Sequence, residues 1–256
     1  MKAGTCMERE KRPAFYLFIE SSVRFFYRKY TVEGAENLPE EPCIAVGNHS
    51  QAHGPIVSQL YFPRAARTWC IGEMMHTKEV PAYAFKDFWS MKPKWTLWFW
   101  KIASFVIAPL AAYVMSNAWT IGVYKDKRIF NTLKETTEKL QEGYDIIIYP
   151  ECYEEHNNIV HNFQTGFVEV ARLYGRKTKK SLPFVPMYLC PSLKKLIIGK
   201  PIYYDLEADK KEEADRICNY LMDEISEMAY KQEPHTVVPY PNISKKDYPK
   251  NIRIED

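Results

Sequence analysis

Two histidines, His49 and His53, follow a short apolar run, Cys43-Ile44-Ala45-Val46-Gly47, and precede Gly54-Pro55. The run reads as a buried strand, and the exit of such a strand is where open α/β sheets place their chemistry. Imidazole titrates near neutrality, so His49 is suited to take a proton from a hydroxyl. The four-residue spacing would also suit a metal on a helix. However, Ser50 stands where a zinc-protease motif has glutamate, and Gly54-Pro55 breaks a helix across both histidines. No metal is expected, and a metal-dependent hydrolase is kept only as a second alternative. Cys152, with His156 and His161 downstream, has the residue types of a thiol nucleophile. Nothing around it in the sequence activates a thiol, so it reads as a packing cysteine.

The elements that must position these residues alternate. Residues 13–30 have helical spacing, with Phe15, Phe18, Ile19, Ser22 and Phe26 on one face. Strands are expected at 31–38 (with a turn), 43–47, 67–71, 120–124, 144–149, 183–189 and 194–203. Helices are expected at 55–62, 128–142, 163–174 and 207–230. Gly143 closes the 128–142 helix, whose Ile129, Leu133, Thr136 and Leu140 share a face. The 207–230 helix is acidic and amphipathic, with a solvated outer face. This alternation implies an α/β fold, a mostly parallel or mixed central sheet wrapped by helices, with an N-terminal helical segment. The chain divides into a basic segment at 1–30, an α/β domain at 31–233 and a tail at 234–256.

A chain of 256 residues, 46% hydrophobic and 26% charged, is long enough for a substantial core and is not of disordered composition. A net charge of +3 gives no reason to expect nucleic acid. Residues 1–30 carry seven Lys/Arg against three Glu beside several aromatics, a composition that suits an anionic membrane surface or a packed helix with solvated charges. Residues 95–115 are apolar apart from Lys101. As a helix they would span ~30 Å, about the thickness of a bilayer core. Trp89, Trp95, Trp98 and Trp100 cluster at that end, so the expectation is a helix half buried in the domain with its tryptophans at a lipid–water boundary. An internal helix with an aromatic core is the other reading. Lys177, Lys179 and Lys180 form a basic loop, either solvated or facing an anionic group. Six scattered cysteines and no apolar segment before Pro13 point to reduced thiols in the cytoplasm.

The segment Asn48-His49-Ser50-Gln51-Ala52-His53-Gly54 resembles the His-x4-Asp motif of the glycerophospholipid acyltransferases, the lysophosphatidate acyltransferases and their relatives. Three further blocks follow in order. Thr120 to Lys125 resembles the second, with lysine where an arginine is usual and Arg128 nearby. Ile148-Tyr149-Pro150-Glu151-Cys152 resembles a Phe-Pro-Glu-Gly-Thr block, and Asn162 to Phe167 a Phe-Lys-x-Gly-x-Phe segment, with Gln164 for the lysine and Gly166 matching. Phe184-Val185-Pro186-Met187 and Gly199-Lys200-Pro201-Ile202 resemble the fourth. Together these cover residues 32–205.

The resemblance implies acyl transfer from acyl-CoA or acyl carrier protein, as co-substrate and with no other cofactor, to the hydroxyl of a lysophospholipid-like acceptor. His49 would be the general base and His53 its support. Asn48, Lys125, Arg128, Glu151 and Gly166 would bind substrate. The enzyme would be cytoplasmic, peripheral or monotopic at a membrane surface. The departure is Gly54, where the family has its aspartate. After His49 the next acid is Glu73, so the ring must be oriented by His53, a backbone carbonyl or Glu73, or the enzyme is slow. Gly54 before Pro55 reads as an acceptable helix N-cap, which would leave the backbone undisturbed. The alternative is a weak or inactive lipid- or acyl-chain-binding homologue.

Overall fold

The structure, a computed structural model, describes residues 12–86 and 93–253. Residues 1–11 of the basic segment, including Cys6, and Trp89 therefore lie outside the described residues. The central sheet runs β1 (Thr31–Glu33), β9 (Lys195–Ile198), β8 (Pro183–Cys190), β2 (Ile44–Gly47), β5 (Asp145–Ile148), β3 (Ala66–Ile71), β4 (Thr120–Val123), with β10 (Ile202–Tyr203) also on β8. From β8 to β4 all neighbours are parallel; β9 and β10 are antiparallel to β8. The expected mixed, mostly parallel sheet is thus present.

Every residue of β2, β5 and β8 is buried, as parallel strands covered on both faces must be. Alternation sorts their side chains. Ile44, Val46, Ile146 and Ile148 join a core with α5 (Ile129–Gln141), α6 (Glu169–Thr178) and α7 (Lys210–Tyr230). Ala45, Ile147, Val185 and Met187 face the other way, toward Val57 and Tyr61 of α2 (His53–Tyr61). The sheet is therefore the middle layer of three.

Several boundaries differ from expectation. Helix α2 begins at His53, two residues early, with Ala52 rather than Gly54 as its N-cap. The stretch 194–203 splits into β9 and β10 around Gly199-Lys200-Pro201. The expected helix at 163–174 becomes a 3-10 turn, Thr165–Val168, followed by α6. Between β5 and the 3-10 turn a hairpin of β6 (Glu151–Glu155) and β7 (His161–Phe163) forms, an element not expected from the sequence.

Helix α4 (Leu97–Asn117) runs through Pro109 and is less covered than the half-buried helix expected. Its buried side is narrow. Ser104, Ala108 and Ala112 are buried, and the two alanines pack with Val80 and Ala84 of α3 (Val80–Ala84). Trp95, Trp98, Phe99, Ile102, Phe105 and Val106 are all more than half exposed, and Lys94–Asn117 is long and apolar enough to cross a membrane. Helix α1 (Ala14–Phe26) exposes Phe15, Phe18, Phe25 and Phe26, and the Phe15 ring lies 5.5 Å from Tyr113 of α4.

Candidate active site

The site lies where β8, β2 and β5 end, at the C-terminal edge of the parallel strands. Beyond Gly47 the β2–β8 pairing is continued by a side chain. Asn48 is buried; its Oδ1 accepts from Leu189 N (2.7 Å), and its Nδ2 donates to Leu189 O (3.1 Å) and Ser50 Oγ (2.8 Å). This amide holds the chain on β8.

His49 follows, and the next two residues are both left-handed, Ser50 at φ 44° and Gln51 at φ 55°. Neither is the glycine or asparagine that takes this conformation readily, so the surrounding structure must hold the turn. The turn curls the Gln51 carbonyl onto His49 Nδ1. A carbonyl can only accept, so Nδ1 carries the proton and Nε2 is left with its lone pair. Burial holds the His49 pKa below its ordinary value, which favours the neutral ring, the form able to accept a proton.

The ring meets Tyr149 edge-on (5.4 Å between centroids) and Tyr240 likewise (5.7 Å). Tyr149 donates to Ser58 Oγ (2.8 Å), which donates in turn to Gly54 O (3.0 Å). Gly54 has no room for a side chain. A Cβ there would come 2.5 Å from the His49 carbonyl oxygen and 2.9 Å from the Tyr149 ring. The absent aspartate is therefore a backbone matter as well as a chemical one, contrary to the expectation of an undisturbed N-cap.

Glu151 is brought beside His49, because β2 and β5 are neighbours. Its carboxylate is only 4% exposed. It accepts from the backbone N–H of His49 through Oε1 and from that of His161 through Oε2 (3.0 Å). The pair of bonds ties the His49 turn to β7. Burial pushes this carboxyl up to about 7, against the opposing pull of the two amides. In this arrangement Glu151 braces the His49 turn; no hydrogen bond joins it to the ring.

The remaining candidates scatter. The Nδ1 of His53 pairs with the Tyr27 hydroxyl (3.0 Å), so it is not what orients His49, and neither is Glu73. Gly166 sits exposed in the turn after β7, with open space around it, near the exit of β5 where Gln164 N donates to Pro150 O (2.9 Å). Lys125 and Arg128 lie past β4, three strand spacings from β2, or roughly 14 Å. Lys125 is exposed, whereas Arg128 is engaged by Asp126 (3.0 Å) and lies over the Tyr124 ring (3.9 Å).

Sequence reasoning missed Gln51, Tyr149 and the tail residues Tyr240 and Tyr248. It weighed His161 only as a partner for Cys152. His161 is buried, its Nδ1 has no hydrogen-bond partner, and its ring lies 5.8 Å from that of Tyr240.

No curated protein matches the chain. A solved structure, the 1-acyl-sn-glycerophosphate (LPA) acyltransferase PlsC from Thermotoga maritima, is similar over 85% of this chain and 83% of that chain, at 16% identity and a TM-score of 0.49. A family model described as Acyltransferase matches residues 29–190. That segment is well over half of the chain, and it runs from just before β1 to the last residue of β8, enclosing His49, Glu151 and the three strands that hold them: the chain belongs to the acyltransferase family.

Proposed function

We propose that this acyltransferase moves an acyl group from a thioester, acyl-CoA or acyl carrier protein, to the hydroxyl of a lysophospholipid-like acceptor, with His49 as general base. The observation that carries this reading is the bond between His49 Nδ1 and the Gln51 carbonyl. It gives the ring the tautomer that the family's aspartate would otherwise select. The free Nε2 takes the acceptor's hydroxyl proton as the oxygen attacks the thioester carbonyl carbon. The tetrahedral intermediate collapses with cleavage of the C–S bond, and the imidazolium returns the proton to the departing sulfur. A carbonyl dipole steadies the imidazolium less than a carboxylate would, so turnover should be modest for the family. Lys125 and Gly166 would contact the acceptor at the rim, with Arg128 contributing only if it leaves Asp126.

Membrane contact belongs to the same reading. The exposed apolar faces of α1 and α4 are far more than scattered surface residues, and Arg24 sits in the last turn of α1 with Arg28 and Lys29 just beyond it. Such a surface suits an enzyme whose acceptor resides in a bilayer, peripheral or monotopic on the cytoplasmic side.

Release of free CoA thiol, followed with a panel of lysophospholipids on anionic vesicles, tests the proposal. His49→Ala should lower turnover by about 10²–10⁴-fold. Equal rates in variant and wild type would remove His49 as the base. Vesicle binding with no turnover in either protein would favour a lipid-binding homologue.

A further inference from the structure

Residues 235–251 lie beyond the segment matched by the family, yet they form part of the site. The base of this segment is pinned. Buried Asn251 donates to the carbonyls of Ala229 (2.9 Å), Gln232 and Glu233 (both 3.2 Å), and accepts from His235 N (2.7 Å). Val237 N donates to Pro249 O (2.9 Å), and Thr236 bridges Lys250 antiparallel. His235 Nδ1 faces the Glu233 carbonyl, so its Nε2 is the acceptor for the Tyr188 hydroxyl (2.7 Å) on β8. Between these anchors the chain passes over the catalytic edge. Tyr240 packs against the rings of His49, Tyr153 and His161. Gln51 Nε2 donates to the Tyr248 hydroxyl (2.9 Å), with Pro241 O further away at 3.4 Å.

We infer that this C-terminal strap positions the catalytic histidine: Tyr248 holds the Gln51 side chain, and so keeps the left-handed Ser50–Gln51 turn whose carbonyl fixes the proton on His49 Nδ1. The chain of contacts is short. Two non-glycine residues in succession are left-handed, a conformation that persists only where the surroundings over-determine it. The side chain of the second is the one seized by the strap, and its carbonyl is the one that reaches the ring. Where the family uses an aspartate within the motif, this chain uses a main-chain acceptor steadied from nearly two hundred residues downstream. Tyr248 and Gln51 are positioning residues, since their side chains act through the turn.

The inference rests on His49 being the base, but its test does not depend on turnover. The full-length protein, labelled with ¹⁵N-histidine, reports the tautomer of each ring by NMR, and the His49→Ala spectrum identifies the His49 signals. Wild-type His49 should show a protonated Nδ1 and a free Nε2. Tyr248→Phe, which deletes one hydroxyl and keeps the ring, should move His49 toward a mixture of tautomers. It should also lower kcat about three- to tenfold, the worth of one hydrogen bond, with KM nearly unchanged. Gln51→Ala should do at least as much. The double variant should be no worse than Gln51→Ala alone, because both changes break the same bond. If His49 keeps its wild-type tautomer in Tyr248→Phe and in Gln51→Ala, the strap does not position it. That result would overturn the inference even if His49→Ala proves inactive. A tautomer shift with unchanged CoA release would instead uphold the strap and sink His49 as the base.

Discussion

Two buried carboxylates hold β2 and β5 together, one at each end. At the N-terminal end, Asp145 Oδ1 accepts from Cys43 N (2.9 Å) and the whole carboxylate is gripped by Arg64 through Nε and Nη2, both at 2.6 Å. At the His49 end, Glu151 accepts from His49 N and His161 N, with no ion pair among the described residues. Burial pushes both carboxyls up. At Asp145 a guanidinium fork opposes this, whereas at Glu151 only backbone amides do, and its carboxyl reaches about 7. One end is braced by charge. The other is braced by main-chain hydrogen bonds and close packing, with no cation paired to Glu151 among the described residues.

The sharpest way to break this contrast is at the charged end. Arg64→Met strands a buried Asp145. It should cost about 3 kcal/mol, the low end for a broken buried pair because Arg64 is 30% exposed. The melting temperature would then fall by roughly 6–12 °C, read by calorimetry. Turnover per folded molecule should stay within twofold of wild type, a bound set by the distance of Arg64 from His49 at the far end of the strands. A large loss of kcat in the folded variant would mean that the two ends are coupled.

The His49 end should resist being given a carboxylate at position 54. Gly54→Asp restores the family's residue, but its Cβ must displace backbone, so about 2 kcal/mol of stability should be lost. Turnover should fall as well, since the shift begins at the His49 carbonyl. An active, equally stable variant would show that the turn can accommodate the side chain.

Replacing the brace is the next smaller change. In Glu151→Gln one of the two amides meets an NH2 donor, a cost of roughly 1–2 kcal/mol. Its signature is the pH dependence. The folded pKa of Glu151 lies above its unfolded value, so the wild type loses stability as pH rises from about 4.5 to about 7. His49 acts oppositely: its folded pKa lies below 6.5, so stability is lost as pH falls beneath that value. Without Glu151 its falling contribution is removed, while the slopes of His49 and of the other shifted groups, Asp145 among them, stay. Chemical denaturation between pH 4.5 and 7 should therefore show stability climbing more steeply in the variant. Parallel curves would remove Glu151 as a titrating group.

Much of the frame was legible because long-range burial writes itself into composition. Ile44-Ala45-Val46, Ile146-Ile147-Ile148 and Pro183 to Cys190 are continuous apolar runs, and strands covered on both faces have no other choice. His49 could be singled out because it follows one of them. What orients it could not. The acceptor on Nδ1 is a main-chain carbonyl, which every residue carries, and the left-handed turn that delivers it is built from Ser50 and Gln51, whose types do not announce it. The strap stayed hidden for a related reason: residues 234–251 are proline-rich and aperiodic, held by Asn251 and by scattered hydrogen bonds instead of an apolar face. The Arg64–Asp145 brace joins positions 81 apart, and no local pattern marks it. The β6–β7 hairpin is polar and largely exposed along Tyr153 to Glu155, so the alternation that betrays a strand is missing.

The smallest effect concerns the cations themselves. If the acceptor carries a phosphate, as the proposed function has it, a cation at the rim would serve to hold it. Lys125 is the exposed candidate on the same edge of the sheet, while Arg128 is already committed to Asp126. An exposed lysine at such a distance is worth about 1 kcal/mol at low salt. Lys125→Ala should therefore raise KM about fivefold for a phosphate-bearing acceptor, leave kcat alone, and lose most of its effect at high ionic strength, where surface charges are screened. Arg128→Ala should change KM by less than twofold, because its ion pair with Asp126 must be given up before it can serve a ligand. Steady-state kinetics at two salt concentrations check both. A larger effect from Arg128 than from Lys125 would mean that the acceptor draws Arg128 off its carboxylate, and that the β4 exit rearranges when substrate arrives.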